Sequence, residues 1–312
     1  MRQTTNQPAV SVILCTYNPE TARLNSAVDS VCKQTLRRSL FEFLIIDNNS
    51  EPPLTERTGI SPSMCGRLIH EPRQGLAFAR MAGIRQSFAP LIIFVDDDNA
   101  LDSNYLETAL EVADSQPDIG CFGGESRGLL DAPLPEWKQK LLPYVGVRDY
   151  GDRPITSARD EWGEWEPIGA GMVCRRDVCE EFVRILETHP EARRLGRSGG
   201  ALMSGEDSLM AHAAYRLGYS CSYQPKLKLS HAIHKGRTTF SRFAKTVEGH
   251  GRSQAVLRTV KGQRVVKPSL IGIARHLGLR YFEHVYLHGI GAGTVNWFWD
   301  YGYLLEARKI GT

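Results

Sequence analysis

Apolar residues in the first three quarters of the chain fall into short unbroken runs, separated by stretches with helical spacing. An unbroken run of about five or six apolar residues is typical of a strand buried on both faces, as in a parallel sheet. Apolar residues three or four positions apart predict helices that cover such a sheet. The alternation predicts an α/β fold with a single Rossmann-like, mostly parallel sheet flanked by helices. The predicted strands are 9–14, 41–46, 67–70, 91–95, 119–124, 167–175 and 219–229, and the predicted helices are 21–34, 75–88, 102–114, 177–186 and 208–217.

The predicted strand 91–95 runs directly into three carboxylates, Asp96, Asp97 and Asp98. Adjacent charges are costly inside a core, because each must be paired, hydrated or bound to a cation. We therefore expect these side chains at the carboxyl edge of the sheet, where open α/β folds bind their ligands. A solvated acidic turn after a core strand is the alternative.

The last part of the chain has a different pattern. Residues 240–260 predict a basic helix, 268–286 predict a second helix, and 289–305 are rich in Gly, Trp and Tyr. The change divides the chain into a domain of residues 1–238 and a helical, aromatic-rich C-terminal extension, residues 239–312. Such an extension fits a peripheral membrane contact, a homo-oligomer interface or a packing extension.

Composition narrows the class of protein. A net charge of +3 over 312 residues is too small for nucleic acid to be the main partner. The seven cysteines include no Cys-x-x-Cys pair, which favours reduced thiols over a disulfide framework or a zinc site. The first residues lack the apolar segment of a signal peptide, and no run of about 18 apolar residues could cross a membrane. We expect a cytoplasmic protein, either free or peripheral at the membrane.

Acidic side chains also cluster at two other predicted element boundaries. Asp47 follows the strand 41–46, and Glu206 and Asp207 precede the helix 208–217. Hard carboxylate oxygens at a strand end suit Mg²⁺ or Mn²⁺, which usually bridge substrate phosphates. An aspartate at a helix N-terminus is kept ionised by the helix dipole and can accept a proton, although aspartate is also a common capping residue.

Two histidines follow the last predicted strand. His231 and His234 could add an imidazole ligand, which suits Mn²⁺ better than Mg²⁺, and ordinary surface or core histidines are the alternative. The chain has no Gly-x-Gly-x-x-Gly after its first strand and no Gly-x-x-x-x-Gly-Lys-Ser/Thr. If the site takes a nucleotide, a metal held by carboxylates must therefore carry the phosphate charge.

Six motifs in the region 9–237, taken in order, resemble those of the family 2 glycosyltransferases with the GT-A fold. Each motif alone is weak, but the six in order are specific. On the donor side they are the opening strand and nucleotide turn (10–18), the second strand with a uracil-contacting acid (44–50), the helix before the metal strand (74–84) and the Asp-x-Asp motif (95–99). On the acceptor side they are the segment behind the acceptor site (169–175) and Gly205-Glu206-Asp207, similar to the Glu-Asp motif that supplies the catalytic base.

The resemblance implies that residues 1–238 are a GT-A domain that binds a nucleotide-sugar and carries out a metal-dependent, inverting, hexosyltransferase-type reaction. A sugar would move from a nucleotide donor, most often UDP-linked, to a hydroxyl of a glycan or lipid-linked acceptor, in polysaccharide or glycoconjugate biosynthesis. Asp207 would be the catalytic base, and Asp98, with His231 or His234, would ligate Mn²⁺ or Mg²⁺. The triple Asp leaves the metal register open between Asp96-x-Asp98 and Asp97-Asp98. The resemblance also implies contacts with the donor by Thr16, Tyr17, Asn18, Asp47, Arg80 (or Arg73), Asp96, Asp97 and Arg237. It implies contacts with the acceptor by Trp165, Glu166, Gly171 and Glu206, and Trp162 would belong to the same aromatic platform as Trp165.

Two other functions use similar residues. A nucleotidyltransferase could use the same metal strand, but such enzymes usually carry a glycine-rich, lysine-containing loop after the first strand, and Thr16-Tyr17-Asn18-Pro19 is not one. A non-catalytic nucleotide-sugar or glycan-binding module would keep the metal acids without needing Asp207.

Overall fold

The computed structural model describes residues 7–57, 59, 65–198 and 202–312. Within these residues, nine strands form one sheet, in the order β3-β2-β1-β4-β8-β6-β9-β5, with β7 paired to β9. The predicted α/β fold class is confirmed, and the sheet as a whole is mixed. The strands are β1 (Val10–Thr16), β2 (Phe41–Asp47), β3 (Arg67–His70), β4 (Leu91–Asp96), β5 (Asn99–Leu101), β6 (Ile119–Leu130), β7 (Ile155–Ser157), β8 (Val173–Arg175) and β9 (Ser220–Ile233).

The first four strands, β1 to β4, run parallel to one another. Every residue of β1 is buried, because β1 lies between β2 and β4 and is covered on both faces. Its register sets Thr16 opposite Asp47 and Cys15 opposite Asp96. The carboxyl ends of these strands therefore meet at one edge, as the sequence pattern predicts.

The second half of the sheet supplies the antiparallel pairs. β8 runs antiparallel to both β4 and β6, and β5 runs antiparallel to β9. The β5–β9 register sets Asn99 opposite His231, which brings the end of β9 to the loop that carries the aspartates.

Helices cover both faces of the sheet. One face packs under α2, α5 and α6, and the other packs under α1 and α3. Alternate β1 residues divide between these two cores, with Ile13 in the first and Val12 in the second. The helices are α1 (Thr21–Cys32), α2 (Leu76–Gln86), α3 (Tyr105–Ser115), α4 (Glu136–Gln139), α5 (Arg176–Thr188), α6 (Glu206–Arg216), α7 (Phe240–Val260) and α8 (Leu270–Ile310).

The C-terminal residues form a helical layer beside the sheet. α8 doubles back at Gly289, where φ is 77° and the backbone leaves the helical conformation. α7 packs closely on α8, because Gly251 leaves room for the main chain of Trp299. Val256 of α7 also joins the core beneath α2 and α6. The division at residues 238 and 239 stays a prediction.

One expectation from composition is wrong. Cys32, at the end of α1, forms a disulfide with Cys65, just before β3, with 5.9 Å between the two Cα atoms. The two residues are 33 positions apart, so only the tertiary fold brings them together. The other cysteines are buried free thiols: Cys15, Cys121, Cys174, Cys179 and Cys221. No helix in the part of the chain that the structure describes is long and apolar enough to cross a membrane.

Candidate active site

A cavity of about 830 Å³ opens at the carboxyl ends of β1 and β4. Strand ends form its floor, the start of α6 forms one wall, and α7 with the segment before α6 forms another. These regions and neighbouring segments supply the lining residues, which include Thr16, Tyr17, Asn48, Arg80, Asp96, Asp97, Asp98, Tyr144, Trp162, Arg197, Glu206, Asp207, His231, Arg237, Arg242, His250, Ser253, Gln254 and Trp299.

The three aspartates after β4 have different surroundings. The Thr16 hydroxyl donates a short hydrogen bond to Asp97 Oδ2. Burial, reinforced by the charge of Asp98, raises the pKa of Asp97 to about 7. Burial acts to raise the pKa of Asp98 as well, but its contacts with His231 and Arg237 outweigh burial and hold that pKa well below its usual range. Asp98 is therefore firmly ionised beside His231 and Arg237.

Asp98, His231 and Arg237 meet at one point. Arg237 Nη1 donates to Asp98 Oδ2 at 2.6 Å and to His231 Nε2 at 3.0 Å, and the two acceptor atoms are 3.3 Å apart. The His231 ring therefore turns its Nε2 edge toward both Asp98 and Arg237. Nδ1 is buried without a hydrogen-bond partner among the described residues. An oxygen and a nitrogen thus point at a single cation.

This donor set fits a divalent cation. Mn²⁺ accepts carboxylate and imidazole ligands together, and Mg²⁺ or Mn²⁺ commonly completes its shell with water and substrate phosphates. Among the residues that the structure describes, no group of three or more His, Cys, Asp or Glu side chains is arranged to hold a metal. His234 follows the end of β9 and is not among the residues that line the cavity. Of the predicted metal ligands, the structure therefore brings together Asp98 and His231.

Asp207 lies on the opposite wall, in the first turn of α6. Its Oδ1 accepts a hydrogen bond from the Ser208 amide at 2.8 Å. Glu206, its neighbour, turns inward, where burial raises its pKa although Arg80 faces it. Glu206 Oε2 accepts from the Gly205 amide at 3.0 Å, and Oε1 lies 3.8 Å from Arg80 Nη1. Glu206 therefore fixes the start of α6, and Asp207 faces the cavity.

Arg80 lies in the cavity floor and is 1% exposed. Its guanidinium stacks over the Phe94 ring, 5.1 Å from the ring centroid, and occupies the space that a side chain at Gly169 would fill. Nη1 has no hydrogen-bond partner in the described part of the chain. Arg80 thus places a buried positive charge between Asp96 and Glu206.

The residues predicted to contact the donor at the nucleotide turn fall into two groups, those that line the cavity and those that shape the turn. Thr16 and Tyr17 line the cavity, and Tyr17 is 47% exposed. Asp47 is buried, and its two oxygens accept from the amides of Ser50 and Leu54, each at 3.0 Å. Asn18 has a positive φ, and its Oδ1 accepts from the Glu51 amide at 2.8 Å and from Arg57 at 2.7 Å. Asp47 and Asn18 shape this turn, and their donor contacts stay a prediction.

Of the residues between 162 and 171 that are predicted to contact the acceptor, some pack behind the cavity wall and one reaches the cavity. Trp165 packs behind the wall and donates from Nε1 to Tyr215 Oη at 3.1 Å. Gly171 has a φ of 70° and accepts from Tyr105 Oη through its carbonyl oxygen at 2.6 Å. Glu166 is 1% exposed, and burial raises its pKa to about 8. Trp162, which is 60% exposed, is the aromatic residue of this segment that reaches the cavity.

The cavity residues that the sequence reasoning missed include Arg197, Arg242 and His250. Arg242 and His250 come from α7, and Arg197 comes from the segment before α6. Neither arginine forms an ion pair with a carboxylate among the described residues. Burial lowers the pKa of His250 to about 4, so this imidazole is neutral at pH 7. Two positive charges that form no ion pair among the described residues thus face the cavity.

Comparisons with known proteins agree with this geometry. A family model described as "Glycosyl transferase family 2" matches residues 11–183. The chain is 22% identical over 245 residues to a glucosyl-dolichyl phosphate glucuronosyltransferase of Haloferax volcanii, covering 74% of this chain and 71% of the relative. It is 23% identical over 255 residues to the succinoglycan biosynthesis protein ExoM of Rhizobium meliloti, covering 78% and 74%.

A solved structure shares the fold. GalNAc-T7, crystallised with UDP, GalNAc and Mn²⁺, superposes with a TM-score of 0.52 at 16% identity, over 80% of this chain and 51% of that one. This chain therefore spans about half the length of that protein.

Proposed function

Because the chain belongs to glycosyltransferase family 2, we propose that it transfers a sugar from a UDP-linked donor to an acceptor hydroxyl, with inversion at the anomeric carbon. Its relatives are named for glycoconjugate and polysaccharide biosynthesis. The observation that carries the proposal is one cavity with Asp96, Asp97 and Asp98 on its floor and Asp207 on its wall.

The floor takes the donor. Thr16 and Tyr17 contact the nucleotide, and Asp96 and Asp97 accept hydrogen bonds from ribose or sugar hydroxyls. The raised pKa of Asp97, about 7, means that its carboxyl is partly protonated near neutral pH and can then also donate a hydrogen bond. Asp47 lies beneath this turn, and its two backbone hydrogen bonds give the turn its shape.

Asp98 and His231 are the residues that would hold Mn²⁺ or Mg²⁺, because their acceptor atoms already point at one cation. A bound metal supplies charge neutralisation for the leaving diphosphate. Arg237 contacts the same two atoms, so a divalent cation held there would displace its guanidinium from them. Arg237, Arg197 and Arg242 then contact phosphate oxygens with their guanidinium groups.

The wall takes the acceptor. Asp207 deprotonates the acceptor hydroxyl as its oxygen attacks the anomeric carbon from the face opposite the diphosphate. A new carbon–oxygen bond forms, the bond to the diphosphate breaks, and the proton passes to Asp207. The Ser208 amide holds Oδ1 and leaves Oδ2 for this proton. Trp162 offers an exposed ring on which an acceptor sugar stacks.

The Asp207→Asn variant tests this assignment. We expect nucleotide-sugar affinity to be kept and transfer to fall by about a hundredfold or more, because general base catalysis contributes on that order. Asp177→Asn is a matched control, since Asp177 occupies the first turn of α5 and its Oδ1 accepts from the next amide in the same way, at 2.9 Å. Transfer at the parental rate by Asp207→Asn would refute the assignment of the base. A parent protein that binds the donor but transfers sugar to no acceptor would favour a binding module.

A further inference from the structure

The first half of α8 forms an arm on the outside of the protein. α8 doubles back at Gly289, and its two halves pack antiparallel. Trp297 Nε1 of the inner half donates to the Leu277 carbonyl at 2.8 Å, and Gly293 lies against the carbonyl of His284. The inner half is the part that meets α7, through Trp299. We define the arm as residues 264–290.

The arm carries most of the large apolar side chains that are exposed among the described residues. Of the fourteen large apolar side chains that are exposed in the described chain, eight lie between residues 266 and 290. Ile271, Phe282 and Tyr286 are 83%, 74% and 89% exposed. Ile271, Leu279, Phe282 and Tyr286 recur at helical spacing and so form one stripe. A contiguous patch of this kind marks an interaction surface.

Positive charge accompanies this apolar stripe. Arg264, Lys267 and Arg275 are exposed and form no ion pair within the described residues. Glu283 is the single acid in residues 264–290, and it already pairs with Arg280 at 2.5 Å. Apolar and aromatic side chains next to uncompensated basic ones are typical of a helix that lies in the interface of an anionic membrane.

A second copy of the chain fits this surface less well. Apposed stripes would bring the Arg264, Lys267 and Arg275 side chains of two copies together, and the arm has no free acid to neutralise them. The turn at the end of the arm also adjoins α4, which borders the cavity. Directly after the arm, a side chain at Gly291 would come within 2.8 Å of the Trp137 ring of α4, and Lys140, directly after α4, lines the cavity.

We propose that the arm docks the protein on an anionic membrane surface, with the apolar stripe in the lipid interface and the basic side chains on the head groups. Docking brings the cavity next to the membrane, because α4 joins the two. The inference does not depend on which sugar or acceptor the cavity uses.

Flotation of the full-length protein with lipid vesicles tests the proposal. We expect binding to phosphatidylcholine vesicles that contain phosphatidylglycerol to be about tenfold or more stronger than to phosphatidylcholine alone, and to weaken with salt. The double variant Leu279→Glu with Phe282→Glu should no longer float with either vesicle. Both side chains are well exposed, so the fold should tolerate the changes. Phe88→Glu is a matched control on the body of the protein, since Phe88 is 68% exposed.

Equal flotation of the double variant and the parent would overturn the proposal. A parent that floats with neither vesicle would also overturn it. Light scattering tests whether a second copy of the chain covers the arm instead. If the parent is a dimer that does not bind vesicles, and Leu279→Glu with Phe282→Glu converts it to a monomer, the arm is an interface between two copies.

Discussion

Replacing Glu166 by glutamine should stabilise the folded protein relative to the parent at alkaline pH. At acidic pH the two proteins should be equally stable. Glu166 is 1% exposed, and its Oε1 has no hydrogen-bond partner within the described residues. Ser208 Oγ donates to Oε2 at 3.3 Å. Burial first, and then the charges of Asp207 and Asp160, raise its pKa to about 8 although Lys261 opposes them. The folded protein therefore keeps this carboxyl protonated at neutral pH.

The size of the effect follows from proton linkage. In the unfolded chain a glutamate has a pKa of about 4.5, so between about pH 4.5 and 8 the folded state binds the proton and the unfolded state does not. Stability of the parent consequently falls as pH rises through this window. At about 1.4 kcal/mol per pH unit, the loss attributable to Glu166 reaches about 5 kcal/mol above pH 8 as an upper limit. Glutamine has the same shape and no charge to lose.

Urea unfolding followed by tryptophan fluorescence measures this difference. We expect Glu166→Gln and the parent to have free energies of unfolding within about 0.5 kcal/mol at pH 4.5, and the variant to be more stable by several kcal/mol at pH 8.5. Glu164→Gln is the matched control, because Glu164 is exposed two residues earlier. A constant difference between Glu166→Gln and the parent from pH 4.5 to 8.5 would mean that Glu166 is ionised in the folded protein.

Two further predictions concern the cation site and the C-terminal helices. Arg237→Ala should bind Mn²⁺ about three- to tenfold more tightly without nucleotide, as measured by electron paramagnetic resonance of free Mn²⁺, because a competing cation is removed; unchanged or weaker binding would contradict this. Gly251→Ala should lower the free energy of unfolding by about 1–3 kcal/mol, since the new Cβ would overlap the Trp299 carbonyl. Gly278→Ala, whose Cβ meets open space in the same helical layer, should be neutral or stabilising, and equal effects of the two would refute the packing argument.

The parallel part of the fold could be predicted because burial on both faces requires continuous apolar runs. β4 is the clearest example, with five fully buried residues before Asp96. β9 extends beyond its predicted end at residue 229. Its last residues alternate between buried and half-buried positions, so they do not form the continuous apolar run on which the prediction relied. Leu229, His231 and Ile233 face inward in that alternation, and this places His231 against Asp98. The sequence alone does not show where β9 ends, so it cannot tell which of His231 and His234 lies beside Asp98.

The α7 wall of the cavity has a signal in the sequence that was not used. Arg242, Thr246, His250 and Gln254 recur every four residues, so they share one face of a helix whose other residues are largely buried. A polar stripe on an otherwise buried helix indicates a cavity or a partner. Arg197 has no comparable signal, because it lies in a loop that is held in place through a long-range contact, in which its carbonyl oxygen accepts from the Leu76 amide at the start of α2.

The most direct test of the central claim is donor hydrolysis. The protein should be incubated with a panel of nucleotide sugars and Mn²⁺ or Mg²⁺, and both binding and slow release of the sugar should be measured. We predict that one UDP-sugar binds and is slowly hydrolysed, and that hydrolysis is lost with Asp98→Ala or a chelator. A correctly folded protein that neither binds nor hydrolyses any nucleotide sugar would contradict the claim.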